Sequence, residues 1–374
     1  MRTPVGLAVA VLMGLGALQA FSHRETPPLA ATQLAVNRMH LNTLNQSKAG
    51  MVAGGELGNL LYSTDQGKHW LPAKVSDNRQ ALINQISFAA DGMEGMAVGH
   101  EGWILHTTDG GLSWQEVAFD EKNGEPLMGI ARMPSGAWIA VGAFGRALRS
   151  DAQGKDWQPL ALPESVEDKH MNRIVGSADG QRWLILGERG LVLRSTDSGE
   201  TWAEVEPFYN GSLYNAMALP NGGWLAYGMR GNVFHTTGGD APWIASDMPV
   251  QASFYGHSLR PDGTIVLVGQ GSLVATSKDG GAHFTIGRVA GRASLTDVLL
   301  APDGTGWLAS DAGLQPYSLA AAPAAAQTST PAPEPAPAPE TAPASEPATA
   351  TEPAPAAEPA PAATSTPSST GAAQ

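Results

Sequence analysis

The stretch GWILHTTDGGLSW, residues 102–114, decides the reading of this chain. It runs Gly, a short alternating strand, then Thr-x-Asp-x-Gly-x-x-Trp. Five further stretches fall into register with it: GNLLYSTDQGKHW (58–70), GRALRSDAQGKDW (145–157), GLVLRSTDSGETW (190–202), GNVFHTTGGDAPW (231–243) and SLVATSKDGGAHF (272–284). Asp65 and Asp109 stand 44 residues apart, and Asp197 and Asp279 stand 82 apart, two periods of 41. Self-similarity at a period in the forties, in segments rich in short strands, is the signature of propeller blades.

Each copy reads as four strands. In the second copy, Ile83–Ala89 alternates apolar and polar, Asp91-Gly92 turns, and Gly95–Gly99 is a small-residue strand. Trp103–Thr107 then precedes the boxed turn and Trp114–Ala118 follows it. Alternating strands joined by Gly and Asp turns build an antiparallel meander. A seventh, partial copy runs from Thr296 to Leu319, keeping Gly306-Trp307-Leu308 and Gly313-Leu314 but lacking a box and an outer strand. Thr32–Val36 is expected to supply that strand and close the ring. Residues 32–319 shared among seven copies give about 41 per blade, the observed period. The expected fold is therefore all-β: a seven-bladed β-propeller of four-stranded antiparallel blades with Asp-box turns, six or eight blades being the alternative counts.

The boxed turn joins the third and fourth strands of a blade, and turn chemistry accounts for its residues. Asp65, Asp109, Asp197 and Asp279 can accept bonds from the backbone N–H groups of their own turns, and the following Gly takes the positive φ that other residues resist. Trp70, Trp114, Trp157 and Trp202 close the motif and are expected to pack into the blade. The boxes are imperfect, with Asp151 one place early, Gly238 where Asp is due and Phe284 where Trp is due.

The flanks differ in composition from the repeats. Residues 1–20 have one early Arg and an apolar and Gly run from Val5 to Leu18, the pattern of a cleaved secretory signal, with an uncleaved membrane anchor as the competing reading. Residues 21–31 read as a linker. Residues 320–374 are almost wholly Ala, Pro, Thr, Ser and Glu, too poor in apolar bulk to offset ordering entropy, and are expected to be a disordered tail. The formal charge is −13, and five of those charges are the tail residues Glu334, Glu340, Glu346, Glu352 and Glu358, leaving −8 for the remainder. With no basic arm or cluster, nucleic-acid binding is not expected. The chain has no Cys, so it can form no disulfide and carry no lipid on a cysteine. Export to a bacterial periplasm or an equivalent compartment fits these features.

The boxes resemble the bacterial neuraminidase repeats of sialidases and sortilin-type receptors. The fuller pattern, Gly-x-x-Gly ahead of the strand and box, as in Gly99-His100-Glu101-Gly102 and Gly187-Glu188-Arg189-Gly190, is more similar to the photosystem II stability and assembly factor family. The resemblance spans residues 35–318. It implies a seven-bladed propeller that acts as an assembly chaperone or accessory factor for a membrane complex or transporter, peripheral to the membrane.

Residue types that a glycosidase would use are present, Arg173 among them, but no arginine motif of the sialidase kind precedes the first box. The nine His show no metal-ligand spacing. No catalytic residue, metal or cofactor is expected. A glycan-binding or glycan-cleaving propeller remains the competing function. A better lead lies on the face opposite the boxes, where equivalent turn positions carry dissimilar side chains: His100 and Glu101, Glu188 and Arg189, and Arg230. Inter-blade loops add Phe208, Tyr209, Tyr214, Tyr255 and His257. Tyr and Arg combine contact area with directed bonds, so this sector is expected to grip a membrane protein or envelope complex, the chain acting as a monomer. The bland alternative is that solvated turns vary freely.

Overall fold

The computed structural model describes residues 3–20, 34–120, 122 and 124–321. The expected signal junction after Ala20, the linker, Thr32 and the tail from residue 322 onward lie outside the described residues. Thr3–Ala20 forms one apolar helix. Among the described residues no helix is long and apolar enough to cross a membrane.

Seven antiparallel sheets follow in chain order, and the protein is a seven-bladed β-propeller. The innermost strands are Leu41–Gln46, Ile83–Phe88, Leu127–Arg132, Met171–Gly176, Leu213–Ala218, Phe254–Leu259 and Leu295–Leu300. Blade two gains a fifth, outermost strand because Lys74–Val75, in the linker from blade one, pairs parallel with Ser113–Trp114. Second strands are buried on both faces, as in Trp183–Gly187 and Ile265–Gly269, which is why they read as continuous apolar runs.

The boxed turns form as their chemistry demands. In blade four, Asp197 Oδ1 accepts the N–H of Glu200 (3.1 Å) and of Thr201 (2.9 Å), while Ser195 Oγ donates to Asp197 (2.7 Å) and accepts the N–H of Gly199 (2.9 Å). Gly199 sits at φ +84, where a side chain would strain the backbone and strike Met133. Asp151, one place early, still accepts the Lys155 N–H at 2.8 Å. The Trp column is less uniform than expected. Trp114 is fully buried and Trp70 nearly so, whereas Trp157 and Trp202 are half-buried.

A blade buries its faces only against its neighbours. Among the described residues the apolar core divides into seven clusters, one at each blade interface. Between blades three and four, for instance, Ile139 and Val141 meet Ile174 and Ile185. Polar staples run between blades as well. Asn42, Asn84 and Asn172 each donate a side-chain N–H to the first carbonyl of the next inner strand, those of Ile83, Leu127 and Leu213. Arg149 reaches from blade three to Glu200 in blade four, and Arg194 from blade four to Asp240 in blade five.

Ring closure departs from the expectation that Thr32–Val36 completes blade seven. That blade has three strands, and the described part of the segment, Leu34–Val36, forms none. Instead the Leu314 N–H donates to the Val36 carbonyl (2.8 Å), and Leu34 and Val36 pack on Ala309 and Leu314. The chain then turns at Val36-Asn37, close against Gly313. Closure rests on side chains: Thr296 Oγ1 donates to the Leu41 carbonyl (2.5 Å), and Asp297 Oδ2 accepts the Leu44 N–H (2.8 Å).

Hydrogen bonds from Thr201 and Ser195 lower the Asp197 carboxyl to about 2. A depressed carboxylate contributes stability above its unfolded pKa and loses it as pH falls through the folded value. Asp197→Ala is expected to lower the thermal midpoint by on the order of 2 °C at pH 7. That deficit should shrink between about pH 4 and pH 2 in differential scanning calorimetry.

Candidate functional site

Antiparallel order puts the turns after strands one and three on one face and those after strands two and four on the other. On the second face, Glu101-Gly102, Phe144-Gly145, Arg189-Gly190 and Arg230-Gly231 are each a pair of consecutive left-handed residues closed by a short backbone bond, such as Leu191 N–H to the Glu188 carbonyl (3.0 Å). This is the type I′ hairpin, which matches strand twist. Its first central place prefers Gly, Asn or Asp, yet here it holds Leu57, Glu101, Phe144, Arg189 and Arg230, all at φ between 50 and 58. Leu57 is 61% exposed, and Phe144, 57% exposed, packs one side of its ring on His170 at 4.7 Å.

Four of the expected contact residues come together here. The rings of Tyr214 and Tyr255 lie 5.3 Å apart. Ser253 bonds the Tyr214 side chain and accepts the Arg230 backbone N–H. Tyr209 lies within electrostatic reach of both Tyr214 and Arg230. Burial raises the Tyr209 and Tyr214 phenols above the ordinary tyrosine value, so both hydroxyls remain donors. Arg230 is exposed among them.

The remaining expected residues go elsewhere. Phe208 stacks on Trp243 at 4.6 Å inside the interface of blades four and five, so it is core. Glu188 turns back to accept the His170 N–H (3.1 Å), just as Glu56 accepts that of His40 (3.0 Å), and so fixes the chain entering the blade. Arg189 is exposed but already pairs with Asp168 (2.9 Å). His100 and Glu101 are exposed on blade two, away from the tyrosines. His257 faces the central channel, because it lies on an inner strand and not in a loop.

That channel was not anticipated. It is a cavity of about 1110 Å³, lined from the third residue of the inner strands outward and including the turns at Ala89–Asp91, Met133–Pro134 and Ser177–Ala178. It therefore opens on the boxed-turn face. Every inner strand has a bulge that leaves its third residue facing inward: Thr43, Gln85, Gly129, Arg173, Asn215, Gly256 and Asp297. Some of these side chains cap the freed amide of the next blade, as Gln85 Oε1 does for the Ile130 N–H (2.7 Å). Burial pushes Asp297 up to about 6, against bonds from the Leu44 and Val298 N–H groups and the Arg173 charge. Burial first, and Arg173 second, lower His257 to about 4. Its Nδ1 stands 2.6 Å from the hydroxyl of Tyr227, whose phenol is raised well above its ordinary value by burial. Aligning the inner strands instead of the boxes would have exposed this column in the sequence.

A family profile described as photosynthesis system II assembly factor YCF48 matches residues 26–158 and 77–315. The chain belongs to this family. The photosystem II assembly lipoprotein Ycf48 of Synechococcus sp. (strain CC9902) is 24% identical over 272 residues, which is 60% of this chain and 80% of that protein. The solved structure of YCF48 bound to D1 peptide superposes with a TM-score of 0.61 at 22% identity, covering 79% of this chain and 98% of that one. An enzyme shares the architecture too: the GH74 xyloglucanase from Xanthomonas campestris gives a TM-score of 0.62 at 13% identity over 76% of this chain and 52% of that one, a likeness of fold alone.

With Arg173 nearby, His257 is expected to titrate near pH 4 in proton–nitrogen NMR, well below its ordinary value of 6.5. Arg173→Gln should move that midpoint upward. Titration of His257 at its ordinary value in the unmodified protein would contradict the channel-floor geometry.

Proposed function

We propose that this protein is a non-enzymatic binding scaffold, exported to the periplasm or an equivalent compartment, that serves as an assembly or accessory factor for a membrane-protein complex. It works peripherally, as a monomer, by holding an extramembrane segment of its partner. The observation that carries the reading is the sector of Tyr209, Tyr214, Arg230 and Tyr255, partly buried tyrosines around an exposed guanidinium on a rigid turn face. Such a set offers contact area at low entropic cost and directed bonds to a carbonyl or carboxylate. Family membership supports it: a solved relative is bound to the D1 peptide, and the curated relatives are named assembly lipoproteins. The apolar stretch Val5 to Leu18 supports export.

Within the sector Arg230 outranks Arg189, whose exposed pairing with Asp168 already satisfies its charge. The test is co-purification of the tagged protein from detergent-solubilised envelopes, quantified by mass spectrometry. Arg230→Ala and Tyr255→Ala should each reduce partner recovery by about tenfold, the loss of one hot-spot contact. Arg189→Ala should leave it within about threefold. Equal recovery with all three variants would remove the sector from the function, and recovery of no specific protein would direct attention to a glycan screen.

A further inference from the structure

The channel floor holds two opposite charges that do not meet. Arg173 projects from blade four and Asp297 from blade seven. Each feels the other electrostatically, yet no ion pair joins them. Among the described residues the guanidinium makes no hydrogen bond, and its Nε is buried without a partner. Guanidinium geometry favours a carboxylate held by two parallel bonds. Asp297 is fixed by one backbone N–H on each oxygen, those of Val298 and Leu44, which leaves the second lone pair of each free for a cation.

The blades between these charges keep the space open. Blade six contributes Gly256 to the column and blade five the uncharged Asn215, whose oxygen is occupied by the Ala216 N–H (2.9 Å). A side chain at Gly256 would strike the Asp297 backbone, at 2.6 Å from its Cα. Above the floor the cavity wall is mixed, with Asp91, Glu94 and Arg132 beside apolar groups, and it opens on the boxed-turn face. A fitting ligand therefore carries a carboxylate and an ammonium close together at one end.

We propose that the channel floor binds the head group of a free α-amino acid, Arg173 taking the carboxylate and Asp297 the ammonium. The floor lies on inner strands whose second residues, Tyr214 and Tyr255, belong to the tyrosine and arginine sector, and the proposal stands whether or not that sector binds a partner. Isothermal titration of the full chain with glycine, leucine and glutamate, and with acetate and methylammonium as the two halves of the head group, tests it. At least one of the three amino acids should bind saturably, and each half should bind at least about tenfold more weakly. Arg173→Gln should abolish the binding. Asp297→Asn should erase the preference over acetate, and the comparison of halves on the unmodified chain stands even where that variant fails to close its ring. Acetate binding as tightly as the best amino acid would overturn the proposal in favour of a simple anion site. Binding unchanged in Arg173→Gln, or no saturation by any of the three below about 10 mM, would overturn it outright.

Discussion

A blade of four short strands has two faces to bury and can bury neither by itself, so everything in this molecule depends on closing the ring. Each apolar cluster is shared by two neighbouring blades, and losing one interface would uncover a face of both. The last interface is the demanding one. Among the described residues no strand is shared between the two ends of the ring, and the first and last blades are joined by the cluster of Leu41, Leu44, Ala309 and Leu314 and by bonds of Thr296 and Asp297 to residues more than 250 positions away in sequence. Such contacts carry a large loop-closure entropy, and the rigid frame built by the other blades offsets it by holding the ends close.

Closure also explains the inner column. The bulge near the start of every inner strand frees an amide and turns a side chain inward. Where that side chain is Thr43, Gln85 or Asp297 it caps an amide of the neighbouring blade. Where it is Arg173 it can accept nothing and points its charge into the channel. The same backbone device thus serves stability in some blades and leaves chemistry exposed in another. Asp297 does both, holding the ring shut while presenting a carboxylate to the cavity.

The two faces are consequently different places. One carries boxed turns, whose side chains are committed to their own backbones, and the mouth of the channel. The other carries type I′ hairpins with bulky residues in a left-handed conformation, held there although Gly would cost less. Exposed residues that strain the backbone, such as Leu57, are poorly explained by stability, which is why we propose the second face for the partner.

The architecture was legible in the sequence because a boxed turn is local: Ser195, Asp197, Gly199 and Thr201 satisfy one another within a few residues, and six such turns in register announce their period. Tyr209 and Arg230 read as loop and turn residues and are so, whereas Tyr214 and Tyr255, read as loop residues, are the second residues of inner strands. What sequence could not decide was how side chains from different blades meet. Phe208 and Glu188 read as surface residues and proved to be an interface plug and a backbone cap, because Trp243 and the His170 amide reach them only across a blade boundary or a hairpin. His257 read as a loop residue and lines the channel, because it lies on an inner strand beside the bulge. The juxtaposition of Arg173 and Asp297 across the floor lies still further from sequence reach: it exists only once seven inner strands stand around one axis, and the chain between them records nothing of that distance.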